Sequence, residues 1–182
     1  MKGHAEVTVT MGGVEATAHK TIYRTLLGSC ISVCLWDERA RVGGMNHFML
    51  PQGPAAGGDP ARFGVHAMAL LIGAIQRAGG QRERLVAKIF GGGAVLSGAL
   101  NASRVPQMNI EFIEGFMKLE QIKVLARDLG GTQARQVKFL TDSGHAYVKK
   151  LGAARQVIVR EEKKIIKPVV APPAYGEVEL WA

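Results

Sequence analysis

Short runs in which apolar and polar residues alternate recur along this chain, and they commit most of its core to β-sheet. Residues 6–10 and 23–27 read as strands, and residues 31–36 place Ile31, Val33 and Leu35 on one face. A β-rich stretch continues through Val42 and residues 46–50, with an expected bend at Gly43-Gly44. Residues 85–90 read as a strand running into Gly91-Gly92-Gly93, and residues 122–126 as another. Residues 136–140 and 145–150 flank Asp142-Ser143-Gly144 as a hairpin, and residues 157–159 suggest a last strand.

Helical spacing is confined to two places. Phe63, Ala67, Leu70, Leu71 and Ala74 recur at that period between an Asp59-Pro60 start signal and a Gly79-Gly80 stop. The second helix is expected over residues 109–121, with Ile110, Ile113, Phe116 and Met117 on its apolar side. About eight strands and two helices define an α+β protein. Its 182 residues fit one domain. Residues 1–160 are read as that domain, and 161–182, with Pro168, Pro172 and Pro173, as an extended tail.

Composition narrows the function. Hydrophobic residues make up 47%, enough to offset ordering entropy, so a disordered chain is excluded. No apolar run approaches the roughly 20 residues of a membrane-spanning helix, and no apolar leader follows Met1, so a cytoplasmic protein without membrane insertion is expected. The net charge is +8, and residues 155–182 contribute only five basic against four acidic residues, so +7 lies on the body. A basic body favours acidic partners. Nucleic acid is not among those expected, because aromatics are only 6% and no binding motif is present. Two cysteines, with no CxxC and no zinc-spaced Cys/His cluster, imply neither a disulfide framework nor a metal site, and no cofactor is expected.

Candidate chemistry centres on Cys30. It follows Gly28-Ser29 at a break between two strand-like runs. Small residues there permit a sharp turn that presents a nucleophile and leaves the backbone N–H groups of Ser29 and Cys30 able to hold an oxyanion. The same position suits a small buried hydrophobe, and spacing leaves both open. Cys34 lies on the alternating strand and is assigned to packing. A thiol needs a base at neutral pH. Of five histidines, His47 lies in a short apolar strand just after Gly43-Gly44, where it is either a core residue or a positioned base. The triple glycine lacks the GxxxxGK[ST] context of a phosphate loop and is read as a tight turn or a close backbone approach.

The segment Leu26-Leu27-Gly28-Ser29-Cys30-Ile31-Ser32-Val33-Cys34-Leu35, followed by Gly43-Gly44-Met45-Asn46-His47-Phe48-Met49-Leu50-Pro51, resembles the CheD family of chemoreceptor glutamine deamidases. Further blocks agree: Arg62-Phe63-Gly64-Val65-His66-Ala67-Met68, Glu83-Arg84-Leu85-Val86-Ala87-Lys88-Ile89-Phe90-Gly91-Gly92-Gly93-Ala94, Asn109-Ile110-Glu111-Phe112, and Asp128-Leu129-Gly130-Gly131-Thr132-Gln133-Ala134-Arg135. The resemblance implies a thiol amidohydrolase that converts glutamine side chains of methyl-accepting chemotaxis receptors to glutamate. It implies two β-sheets flanked by helices in four layers, α/β/β/α, similar to the catalytic domains of deamidating toxins. The family's catalytic cysteine maps onto Cys30, its histidine onto His47 and its threonine onto Thr25. In some relatives the threonine stands one place further from the cysteine, where this chain has Arg24, and a one-residue change of register would turn the side chain to the other face. Some members also dock on the chemotaxis phosphatase CheC. A non-catalytic module that binds receptor or phosphatase is therefore the alternative to the enzyme.

Overall fold

The structure is a computed structural model that describes residues 3–51, 63–95 and 104–152. Nine strands and two α-helices are present among them: β1 (Ala5–Thr8), β2 (Val14–Thr17), β3 (Thr21–Leu27), β4 (Ile31–Asp37), β5 (Val42–Asn46), α1 (Gly64–Arg77), β6 (Val86–Gly91), α2 (Arg104–Leu119), β7 (Lys123–Leu129), β8 (Ala134–Leu140) and β9 (Ala146–Leu151). A 3₁₀ turn at Arg82–Arg84 precedes β6.

The strands form two mixed sheets, β1-β3-β8-β9 and β2-β5-β4-β6-β7. Within them β1 runs parallel to β3 and β6 parallel to β7, and the remaining neighbours are antiparallel. The α+β class and the two sheets are as expected. Tyr23, Leu27, Val137 and Phe139 of the first sheet pack on Cys34, Met45 and Phe90 of the second, and that layer joins the sheets. Alternation explains the other face of the five-stranded sheet. Ile31, Val33, Leu35, Ala87 and Ile89 point away from the inter-sheet layer and meet Ala67, Met68, Leu71 and Ile75 of α1 and Ile113 and Met117 of α2. Each such buried Ile, Val, Leu or Met side chain is worth about 1.5–3 kcal/mol. Both described helices thus cover one sheet, and the described residues supply three of the four expected layers.

Local departures from the sequence reading have physical reasons. Gly43 and Gly44 do not bend the chain but lie inside β5. A Cβ on Gly43 would stand 2.9 Å from the Phe139 ring, and one on Gly44 would stand 2.7 Å from Leu71, so both glycines admit close neighbours on opposite faces. β2 has only Val14 and Ala16 as its apolar signal and is completed by pairing with β5. Helix α2 starts at Arg104 rather than 109, with Pro106 in its first turn, where a missing N–H costs nothing. Helix α1 begins at Gly64 after Phe63. The Asp59-Pro60 signal, the 157–159 strand and the 161–182 tail lie outside the described residues.

One ion pair ties the end of β4 to the turn before β6. The fully buried Asp37 carboxylate accepts from Ala40 N–H (3.0 Å), Gln81 N–H (2.8 Å) and the Arg84 guanidinium (2.6 Å). Burial pushes the Asp37 carboxyl up, but the Arg84 and backbone hydrogen bonds outweigh it and bring the pKa from 3.8 down to about 2. A depressed acid stabilises the fold above its unfolded value and loses that contribution as pH falls through the folded one. We therefore expect Arg84→Ala to lower stability at pH 7, measured by urea denaturation. The difference from wild type should shrink between pH 4 and 2, and a constant difference across that window would refute the assignment.

Candidate active site

The chain leaves the first sheet at Leu27 and enters the second at Ile31, so Gly28-Ser29-Cys30 is the crossing between sheets. Its tight path rests on the glycine run after β6. Gly92 N–H donates to the Cys30 carbonyl (2.9 Å) and Gly93 N–H to the Gly28 carbonyl (2.7 Å). Gly91 (φ 121°) and Gly92 (φ 65°) adopt left-handed conformations that other residues rarely enter, and a Cβ on Gly91 would stand 2.0 Å from the Cys30 carbonyl oxygen. The triple glycine is a close backbone approach, as its sequence context indicated.

The glycine run is braced in turn from the β7–β8 turn. Gly130 N–H donates to the Gly91 carbonyl (2.9 Å) and Ala94 N–H to the Gly131 carbonyl (2.8 Å). Arg135 is 1% exposed and lies opposite Leu27 in the ladder. Its guanidinium donates to the Asp128 carboxylate and carbonyl and to the Gly130 carbonyl, closing that turn.

Cys30 is buried between the sheets with Leu27, Met45 and Phe90. His47 follows β5 directly, and both its backbone groups are held: its N–H donates to Gly13 (3.0 Å) and its carbonyl accepts from Gly12 N–H (2.8 Å). Ile31 and Phe48 exchange a pair of backbone hydrogen bonds, 3.0 and 2.9 Å. Cys30 and His47, flanking that pair, are diagonal neighbours, whose Cα atoms lie roughly 7–8 Å apart in an antiparallel ladder. The ladder opens beside His47, where Asn46 Oδ1 accepts from Val33 N–H (2.9 Å).

Thr25 lies on β3 and faces inward, opposite Val137. Its neighbour Arg24 faces outward and bonds Thr8 (2.9 Å) and Glu6 (3.1 Å). The register therefore puts Thr25, and not Arg24, in the inter-sheet layer. The Thr25 hydroxyl donates to the Val9 carbonyl (2.7 Å), and its oxygen is 2.9 Å from His47 Nδ1. A hydroxyl has one proton. With that proton on Val9, the Thr25 oxygen accepts from Nδ1–H, and the lone pair of the neutral ring is on Nε2. Nε2 is buried with no hydrogen-bond partner among the described residues. Burial pushes the His47 pKa down from 6.5 to about 4 against a small upward pull from the Val9 carbonyl. The imidazole is neutral at pH 7 and holds an uncommitted base.

Cys34 also faces the inter-sheet layer, but burial pushes its thiol far above its ordinary range despite the opposing pull of Lys88. It stays a thiol and fills space. His4 is 3.1 Å from the Asp142 carboxylate, remote from Cys30 in the fold, and no group of three metal-ligating side chains occurs among the described residues. No described helix is long and apolar enough to cross a membrane. Sequence reasoning missed one residue of this site. Asn109 of α2 is fully buried, and its Nδ2 donates to the carbonyls of Ser29 (2.9 Å) and Met49 (2.8 Å).

The folded-state pKa of His47 has a consequence for stability. Between about 6.5 and 4 the unfolded chain takes a proton that the folded one refuses. Stability should fall as pH drops through that window, by an amount on the order of 3 kcal/mol. Denaturation midpoints at pH 7 and pH 5 should therefore converge in His47→Gln relative to wild type, and equal pH slopes would contradict the neutral, buried ring.

A sequence model described as CheD chemotactic sensory transduction matches residues 49–150. A protein of Halorhodospira halophila named probable chemoreceptor glutamine deamidase CheD is 42% identical, over 86% of this chain and 76% of its own length. One of Saccharophagus degradans with the same name is 39% identical, over 97% and 86%. One of Chromobacterium violaceum, named probable chemoreceptor glutamine deamidase CheD 2, is 46% identical, over 86% and 79%.

Proposed function

The chain belongs to the CheD family, and from that membership we propose that it is a cytoplasmic, cysteine-dependent deamidase of chemoreceptor glutamines. The observation that carries this reading is the hydrogen-bond chain from Val9 through Thr25 to His47, which leaves Nε2 of a neutral imidazole as base beside the Cys30 crossing. The substrate class comes from the relatives' names. The cysteine dependence comes from the site.

The steps follow from these roles. His47 Nε2 takes the thiol proton of Cys30, and the sulfur bonds to the side-chain carbonyl carbon of glutamine. The carbonyl π electrons move to oxygen, where backbone N–H groups of Ser29 and Cys30 stabilise the charge. The intermediate collapses, its C–N bond breaks, and the proton on His47 passes to the departing ammonia. A thioester remains. Water, deprotonated by the same Nε2, adds to the thioester carbon. The C–S bond breaks, and glutamate and the Cys30 thiol are released. Thr25 holds the ring in the tautomer these steps need, the part played by the third group of other triads.

The test is ammonia release from a receptor cytoplasmic fragment, with mass spectrometry to count converted glutamines. Cys30→Ala should abolish turnover, and Cys34→Ala should retain most of it. His47→Ala should lose about a hundredfold or more, the scale of general-base catalysis. Thr25→Val should lose less than His47→Ala, because the base survives without its anchor. Turnover by Cys30→Ala would overturn the nucleophile. Tight receptor binding by wild type without ammonia would move the reading to a docking module.

A further inference from the structure

Asn109 stands on α2, and its two hydrogen bonds to the site go to backbone carbonyls. Both hydrogens of its amide are committed: one to the carbonyl of Ser29, the residue before Cys30, and one to the carbonyl of Met49, two residues after His47. Both partners are acceptors, so the amide orientation is forced: the nitrogen faces them and the oxygen points elsewhere. The residue is fully buried, in a helix whose other inward residues are apolar. A polar side chain there is costly unless it holds something in place.

What it holds is the peptide unit that joins Ser29 to Cys30. A trans peptide is planar, with its C=O and N–H pointing in opposite directions. A donor fixed on the Ser29 oxygen therefore fixes the direction of the Cys30 N–H, which points away from α2. Rotating that peptide would break the Asn109 bond. On the carbonyl side of Cys30, Gly92 N–H already holds the next peptide at 2.9 Å. The two bonds together remove the freedom of the turn on both sides of the nucleophile.

We propose that Asn109 is a positioning residue for the deamidation: by holding the Ser29 carbonyl it aims the Cys30 N–H at the oxyanion. This rests on the deamidase reading above and extends it to the orientation of one peptide. It has a signature that a merely structural strut lacks. Alkylation of a thiolate by iodoacetamide displaces iodide at a saturated carbon and forms no oxyanion, whereas amide hydrolysis does. Loss of aim should spare the first and impair the second.

The experiment compares wild type, Asn109→Ala and Asn109→Ser on a receptor cytoplasmic fragment and with iodoacetamide. Each variant is followed by circular dichroism, and Cys34, whose thiol burial keeps protonated, must stay unmodified as a check that the fold holds; the serine variant, which keeps one donor, serves if the alanine variant fails that check. We expect kcat to fall about tenfold to a hundredfold, part of what losing a whole oxyanion donor costs. KM and the Cys30 alkylation rate should stay within about threefold of wild type, since binding and thiolate formation are untouched. Unchanged kcat in a folded variant would overturn the inference. An equal fall in kcat and in Cys30 alkylation would overturn it too, by showing that Asn109 acts on the cysteine–histidine pair. No ammonia from wild type would instead overturn the deamidase reading, and the inference with it.

Discussion

Where Gly91 passes beneath Cys30 there is no room for a side chain, since a Cβ would sit 2.0 Å from the Cys30 carbonyl oxygen. The rest of the site depends on that approach. It lets β6 end against the crossing between sheets, so that Gly92 and Gly93 can donate to the carbonyls on either side of Ser29. It also sets the distance at which the β7–β8 turn, closed by Arg135, can brace the glycines from behind. Backbone hydrogen bonds fix the crossing from below and Asn109 fixes it from the helix side, so the conformation of three small residues is determined by groups from three distant parts of the chain.

Burial then does chemical work. The same inter-sheet layer that joins the sheets by apolar contact also holds the imidazole of His47 neutral, because a charged ring there would lose its solvation. One hydroxyl with two partners decides which ring nitrogen carries the proton. Packing and proton placement are therefore one property of the layer, and Cys34, a thiol in that layer with no such partner geometry, shows what burial alone gives: an inert side chain.

Much of this was readable from the residues, and the unreadable parts share a cause. Strands β3, β4 and β8 carry regular alternation, and their inner faces follow from it. Cys30 and His47 drew attention as a turn-mounted thiol and a histidine among apolar neighbours, yet only the family resemblance joined them to Thr25. The register that turns Thr25 inward and Arg24 outward depends on pairing with β8, more than a hundred positions away. Asn109 stood in one of the blocks that carry the resemblance, but nothing local gave it a role, because its partners Ser29 and Met49 lie 80 and 60 positions away. Asp37 and Arg84 gave no sign of their pairing, since nothing local links an aspartate at a strand end to an arginine 47 positions on. Gly43 and Gly44 were misread as a bend because a glycine that admits a neighbour and one that turns the chain look the same in one dimension.

The crossing at Gly28-Ser29-Cys30 divides the site between the two sheets: Thr25 belongs to the four-stranded one and His47 follows a strand of the five-stranded one. Among the described residues no ladder hydrogen bond spans that boundary, which is held by side-chain packing and by side-chain bonds such as those of Thr25 with His47, Trp36 with the Thr141 carbonyl and Arg135 with Asp128. A slide of one sheet over the other would part the threonine from the imidazole while leaving every strand paired. On the proposed mechanism, turnover is a finer gauge of sheet-to-sheet registration than any spectroscopic measure of strand content, and gentle perturbants such as pressure or dilute urea should silence it ahead of unfolding.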